Sequence, residues 1–174
     1  MGLHYENLDA ETRQFMLEEI ALDARSGGGY LSDLLTEEGR LRWPALLKQS
    51  AESGSDESLA ASLAGCFVAM APRRRPGGGG YTMAKVPYNA PERLAEGQFN
   101  MYYIRALALR AMSAGRALVV YRAKAVTWAR PESEALIGRN LDPMVVLAAL
   151  RETKGVNPPI HVPEPNTGIT VRLG

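Results

Sequence analysis

Apolar residues in the first third of the chain recur at helical spacing, with polar residues between them. Phe15, Met16, Ile20 and Ala24 form one stripe, with Glu11, Arg13, Glu18, Glu19 and Asp23 elsewhere, which predicts a helix from Ala10 to Ala24. Asp9 can accept from the free amides of its first turn, and Ser26-Gly27-Gly28-Gly29 stops it. Thr36-Glu37-Glu38 opens a second helical stretch, acidic where the helix dipole favours acid. Pro44 predicts an interruption, with a short turn from Gly39 to Trp43 and the helix proper from Ala45 to Ala51, burying Leu41, Trp43, Leu46 and Leu47. Ser55-Asp56-Glu57 caps a third, short helix with Leu59 and Leu63 on its inner side and Gly65 as its stop.

The pattern then changes. Pro72-Arg73-Arg74-Arg75-Pro76, followed by glycine from Gly77 to Gly80, reads as a loop, because proline lacks a donor and glycine is conformationally free. Alternation of Tyr81 and Met83 with Thr82, Ala84 and Val86 predicts a strand from Tyr81 to Val86. Asn89-Ala90-Pro91-Glu92 reads as an Asn-headed capping box, opening a helix from Ala90 to Ala114 that spans about 37 Å and stops at Gly115. Leu94, Phe99, Tyr103, Leu107 and Ala111 lie near one face, widened by Tyr102, Ala106, Leu109 and Met112. So broad a stripe predicts a central helix packed on two sides, with Arg105, Arg110 and Arg116 on or after its polar face.

Arg116 to Val126 reads as a second strand, with Val119, Tyr121, Ala123 and Ala125 on one face and Leu118, Val120, Arg122 and Lys124 on the other. Asp142-Pro143 opens a last helix through Lys154, with Gly155 after it. Pro158, Pro159, Pro163 and Pro165 keep the segment from Val156 extended, and Asn166-Thr167-Gly168 turns it into a strand from Ile169 to Leu173. The expected fold class is therefore α+β: a helical N-terminal half, then strand, long helix, strand and helix, in one domain over residues 1–155. Residues 156–174 form an extended C-terminal arm. Such an arm suits strand addition to a neighbouring subunit, through Ile160, Val162, Ile169, Val171 and Leu173, or a return onto its own domain.

Composition narrows the class. A chain of 174 residues that is 46% apolar can bury a core as one domain. The single Cys66 rules out an internal disulfide framework, and with only two His it argues against a Cys/His zinc site. The longest apolar run, Leu63 to Ala71, is far shorter than the roughly 18–20 residues of a membrane span. The start of the sequence shows no basic-then-apolar secretory signal, so an intracellular protein with no membrane partner is expected. The net charge of +1 conceals a balance of −7 over residues 1–65 and +8 over residues 66–174. Such asymmetry points to nucleic acid or to contact between unlike protein surfaces, unless folding interleaves the two halves.

Candidate chemistry is sparse. The Gly77–Gly80 run lacks the Lys-Ser/Thr and the following helix of a phosphate loop. Lys124, Glu132 and Glu134 have the residue types of a metal-dependent nuclease, but Arg122 stands where a ligand would be wanted. Cys66 with His4 or His161 has no supporting motif, and there is no Gly-x-Ser-x-Gly elbow. No catalytic residue, cofactor or metal is assigned. The basic side chains Arg73, Arg74, Arg75, Arg122, Lys124 and Arg130 remain as candidate contacts to phosphates or to a partner. A pI near 7.9 is below the value above about 9 typical of a dedicated nucleic-acid-binding domain.

The segment Leu94-Ala95-Glu96-Gly97-Gln98-Phe99-Asn100-Met101-Tyr102-Tyr103-Ile104-Arg105, with Val120-Tyr121-Arg122-Ala123-Lys124 and Pro131-Glu132-Ser133-Glu134-Ala135-Leu136-Ile137-Gly138, resembles small uncharacterised proteins encoded by tailed bacteriophages. The resemblance implies a non-enzymatic structural or assembly protein of the virion, otherwise found in the host cytoplasm, as a head–tail connector (adaptor) or a capsid-associated protein. It would be an oligomer engaged in protein–protein interaction with copies of itself and other viral assembly proteins. Head–tail adaptors are similar in having an extended C-terminal arm on a mostly helical body, whereas the strands here leave connector and capsid roles both open.

Overall fold

A computed structural model describes residues 2–127, 129–159, 163–164 and 166–174. Helix α1 (Ala10–Arg25) begins at Asp9, whose carboxylate accepts from the Thr12 amide at 2.9 Å. Its buried face is Thr12, Met16, Glu19 and Asp23, so two acidic residues that lie off the apolar stripe are buried with Met16. Helix α2 (Glu37–Ser53) runs unbroken through Pro44, where a turn was expected. An interior proline costs about 3 kcal/mol. Burial of Trp43 and Leu47, worth about 1.5–3 kcal/mol each, offsets this. Continuity also places Leu41 about 200° around the helix from Trp43, which leaves it 78% exposed rather than buried. Gly39 forms a tight helix contact: a Cβ there would overlap the Cys66 carbonyl oxygen. Helix α3 (Asp56–Ser62) carries a reciprocal Ser55–Ser58 capping box and buries Leu59.

Strands β1 (Met70–Arg74) and β2 (Tyr81–Lys85) pair antiparallel as a hairpin, so Pro72, Arg73 and Arg74 belong to a strand and not to the expected loop. The hydrogen bonds from Arg75 N to Gly80 O and from Val86 N to Ala69 O fix the alternation of the ladder. They place Pro72, opposite Met83, at a position whose amide faces away from the partner strand, where a proline removes nothing from the ladder.

Helix α4 (Ala90–Ala114) is the centre of the molecule, and every residue from Gly97 to Ala108 is buried. It packs against α1, α3 and α6 (Pro143–Thr153), and its end is formed by Gly115 in the left-handed region. Asn89 precedes it without the expected side-chain cap, because its backbone is not in the extended conformation that aims a capping group at the first amides. Strand β3 (Leu118–Arg122) is shorter than expected. The Ala123 and Lys124 amides both donate to Gly168 O, which ends the ladder and leaves Lys124 outside it. A short helix α5 (Pro131–Glu134) and strand β4 (Asn140–Leu141) follow, neither of them apparent in the sequence pattern. Asp142 caps α6 through the Met144 and Val145 amides, as its sequence predicts.

The C-terminal strand β5 (Ile169–Leu173) pairs antiparallel with β3, giving a sheet of order β4-β3-β5. Gly168, at φ +73°, makes the turn into it. The molecule is thus α+β, with a helical N-terminal half, a long helix between strands, and a proline-rich segment leading to the last strand. Among the described residues, no helix is long and apolar enough to cross a membrane.

Candidate functional site

The β1–β2 hairpin stands apart from the core. Register puts Met70 and Lys85, Pro72 and Met83, and Arg74 and Tyr81 on one face, with Ala71, Ala84, Arg73 and Thr82 on the other. On the first face Met70, Met83 and Tyr81 are 42%, 58% and 71% exposed. Arg73, Arg74 and Arg75 are exposed and form no ion pair among the described residues. The three arginines therefore divide between two faces, and Arg74 sits beside apolar side chains. Tyr88, just beyond the hairpin, is 95% exposed.

The other basic candidates are engaged within the chain. Arg122 pairs with Glu134 and donates to Thr167 O. Lys124 Nζ lies 2.6 Å from Glu96, and Arg130 lies 2.7 Å from Glu164. These pairs also occupy two of the nuclease candidates, Lys124 and Glu134; Glu132 is exposed. No group of three or more His, Cys, Asp or Glu able to hold a metal ion occurs among the described residues. Cys66 is buried, and His161 lies outside the described residues.

Folding interleaves part of the charge asymmetry. Arg110 pairs with Asp9 and Glu11, Arg172 with Glu6, and Arg151 with Glu19, each joining the basic half to the acidic half. Arg105, expected on a polar face, is 0% exposed. It is held at 2.7 Å from both Glu19 Oε2 and Asp23 Oδ2, and the Tyr102 hydroxyl donates to the same Asp23 oxygen. Burial alone would favour neutral forms here. The hydrogen bonds and charges of Arg151 and Arg105 outweigh it and hold the Glu19 carboxyl below its ordinary range; burial is likewise outweighed at Arg105 by Asp23 and Glu19, so the guanidinium stays charged.

The arm contacts are divided as well. Ile169 and Val171 are 0% exposed in the chain's own core, and Leu173 is partly buried against it. Asn100, fully buried on α4, donates to Ile169 O at 3.0 Å and accepts from the Thr170 hydroxyl. Ile160 and Val162 lie outside the described residues.

Comparison with protein-family models, with curated proteins and with solved structures finds no match to the chain. The alternation of Tyr81 and Met83 is legible in the sequence, but Pro72 conceals the strand that pairs with it. The available signal was a pair of short runs flanking a glycine-bearing connection.

Proposed function

We propose that this chain is a non-enzymatic assembly protein of a tailed-phage particle, connector or capsid-associated, that meets its neighbours through the β1–β2 hairpin. The observation that carries this reading is the ribbon itself. An isolated two-stranded hairpin is marginal in water, and this one leaves Met70, Met83 and Tyr81 exposed on one face. Resemblance of the α4 segment to small phage proteins supports the setting. The full chain is expected to appear as an oligomer, or within phage particles, by native mass measurement. The Tyr81→Ser/Met83→Ser double variant should keep its melting temperature but lose that association. A strict monomer present in no particle overturns the proposal.

A second reading, nonspecific binding to nucleic-acid phosphates, rests on Arg73, Arg74 and Arg75 forming no ion pair among the described residues. Replacing all three with Ser should flatten the dependence of log K on log salt by about 2.7 if each contacts one phosphate. Arg122→Ser should leave affinity unchanged, since its guanidinium is already held by Glu134 and Thr167. Filter-binding titrations across a salt series check both, and an affinity indifferent to salt excludes this reading.

A further inference from the structure

Antiparallel pairing turns every second residue of β2 outward. Thr82 and Ala84 bond inward to Arg73 and Ala71, so the backbone of Tyr81, Met83 and Lys85 faces away from β1. No other part of the described chain bonds to those three residues. An open edge of this kind is a template for a further strand. On β1 the outer rim lacks a donor at Pro72, whereas β2 keeps a donor and an acceptor at each outward position. The ribbon also needs more strands, since two alone are marginal in water and three or more with an apolar face are not.

Register and charge decide the occupant. A second copy of β2, laid antiparallel about a twofold axis at Met83, matches all three outward positions. Met83 then lies opposite Met83 of the second copy, and Tyr81 opposite its Lys85. An axis at Thr82 would leave Lys85 opposite Gly79 of the turn, and one at Ala84 would set Tyr81 opposite Pro87, which has no amide. An axis at Lys85 would set two ammonium groups face to face. At Met83, each Lys85 instead meets a tyrosine ring of the other copy, a cation–π pair. On the opposite face Ala84 meets Thr82, both uncharged. The same axis sends Arg73, Arg74 and Arg75 of the two copies to opposite ends of the sheet, because Tyr81 and its copy are offset by four residues, about 13 Å. We propose that β2 pairs edge to edge with β2 of a second copy, centred on Met83, joining the two hairpins into one four-stranded antiparallel sheet. Met70, Tyr81 and Met83 of both copies then share a single apolar face. This pairing rests on the reading of the hairpin as the contact to neighbours, and names the neighbour.

Oxidative cross-linking of the full chain tests the register, and the native Cys66 is buried and does not compete. Met83→Cys should form a disulfide-linked dimer, since directly opposed Cβ atoms lie about 4.5–5.5 Å apart. Tyr81→Cys and Lys85→Cys should each fail to cross-link alone and should cross-link when the two are mixed. Met83→Pro removes an outward amide and no bond of the hairpin. It should keep the melting temperature and weaken dimerisation, measured by sedimentation, at least about tenfold. No cross-link from Met83→Cys, or equal cross-linking by Tyr81→Cys alone, overturns the pairing. Dimerisation untouched by Met83→Pro does so too, and leaves the hairpin reading standing if Tyr81→Ser/Met83→Ser still abolishes association. A strict monomer found within particles overturns the pairing alone, whereas a strict monomer present in no particle overturns both.

Discussion

A chain ended at Gly155 is expected to lose its cooperative thermal transition. Removing residues 156–174 takes away Ile169 and Val171, both fully buried, at about 1.5–3 kcal/mol each. It also strips Asn100 of its bonds to Ile169 O and the Thr170 hydroxyl, and unmet hydrogen bonds at a buried amide cost about 1–3 kcal/mol. Strand β3 loses its pairing with β5, from Leu118 to Arg122, and keeps only the two-residue pairing with β4. Against a total stability of about 5–15 kcal/mol, these losses consume most of what holds the fold. Differential scanning calorimetry or circular dichroism of the truncated chain gives the answer. A transition like that of the full chain would show that β5 is dispensable to its own domain, and would restore the arm as a candidate contact to a neighbour.

Arg105→Leu is expected to destabilise the fold by about 3–5 kcal/mol, because it removes the cation from between two buried carboxylates. Arg105→Lys should recover only part of this, since one ammonium cannot reproduce the fork that reaches both Glu19 and Asp23. The acid limb of stability carries a second signature. The folded Glu19 carboxyl sits below its ordinary value of 4.5, so its contribution is present above pH 4.5 and is lost as pH falls through the lower folded value. Without Arg105 the burial of Glu19 is less well opposed and its folded pKa rises. Loss of stability in acid should then begin at higher pH. Urea unfolding at neutral pH and across the acid range measures both effects. A cost below about 1 kcal/mol, or an unmoved acid limb, would mean that the buried pairs contribute little net stability.

The features legible in the sequence are those decided within a few residues. Asp9, Ser55 and Asp142 bond to amides two or three positions on, and Gly115 and Gly168 mark turns by their own conformation. Features decided by distant partners were not legible. Arg105 is buried because Glu19 and Asp23, 86 and 82 positions away, come to meet it. Pro72 is tolerated in a strand because of a register that only β2 defines. At the candidate site, the basic character of Arg73, Arg74 and Arg75 could be read directly, but their division between two faces depends on pairing. The engagement of Arg122, Lys124 and Arg130 depends on carboxylates 12, 28 and 34 positions distant.

The placement of Pro72 governs how sheet structure can grow from the ribbon. Its missing donor sits at the middle of β1's outer rim, between the outward amides of Met70 and Arg74, so a further strand laid there would meet a gap in its ladder. The rim of β2 has no proline and stays open at Met83 and Lys85. Extension is therefore one-sided: two ribbons can join rim to rim across a twofold axis and stop, with a proline guarding each far side against endless fibre-like stacking.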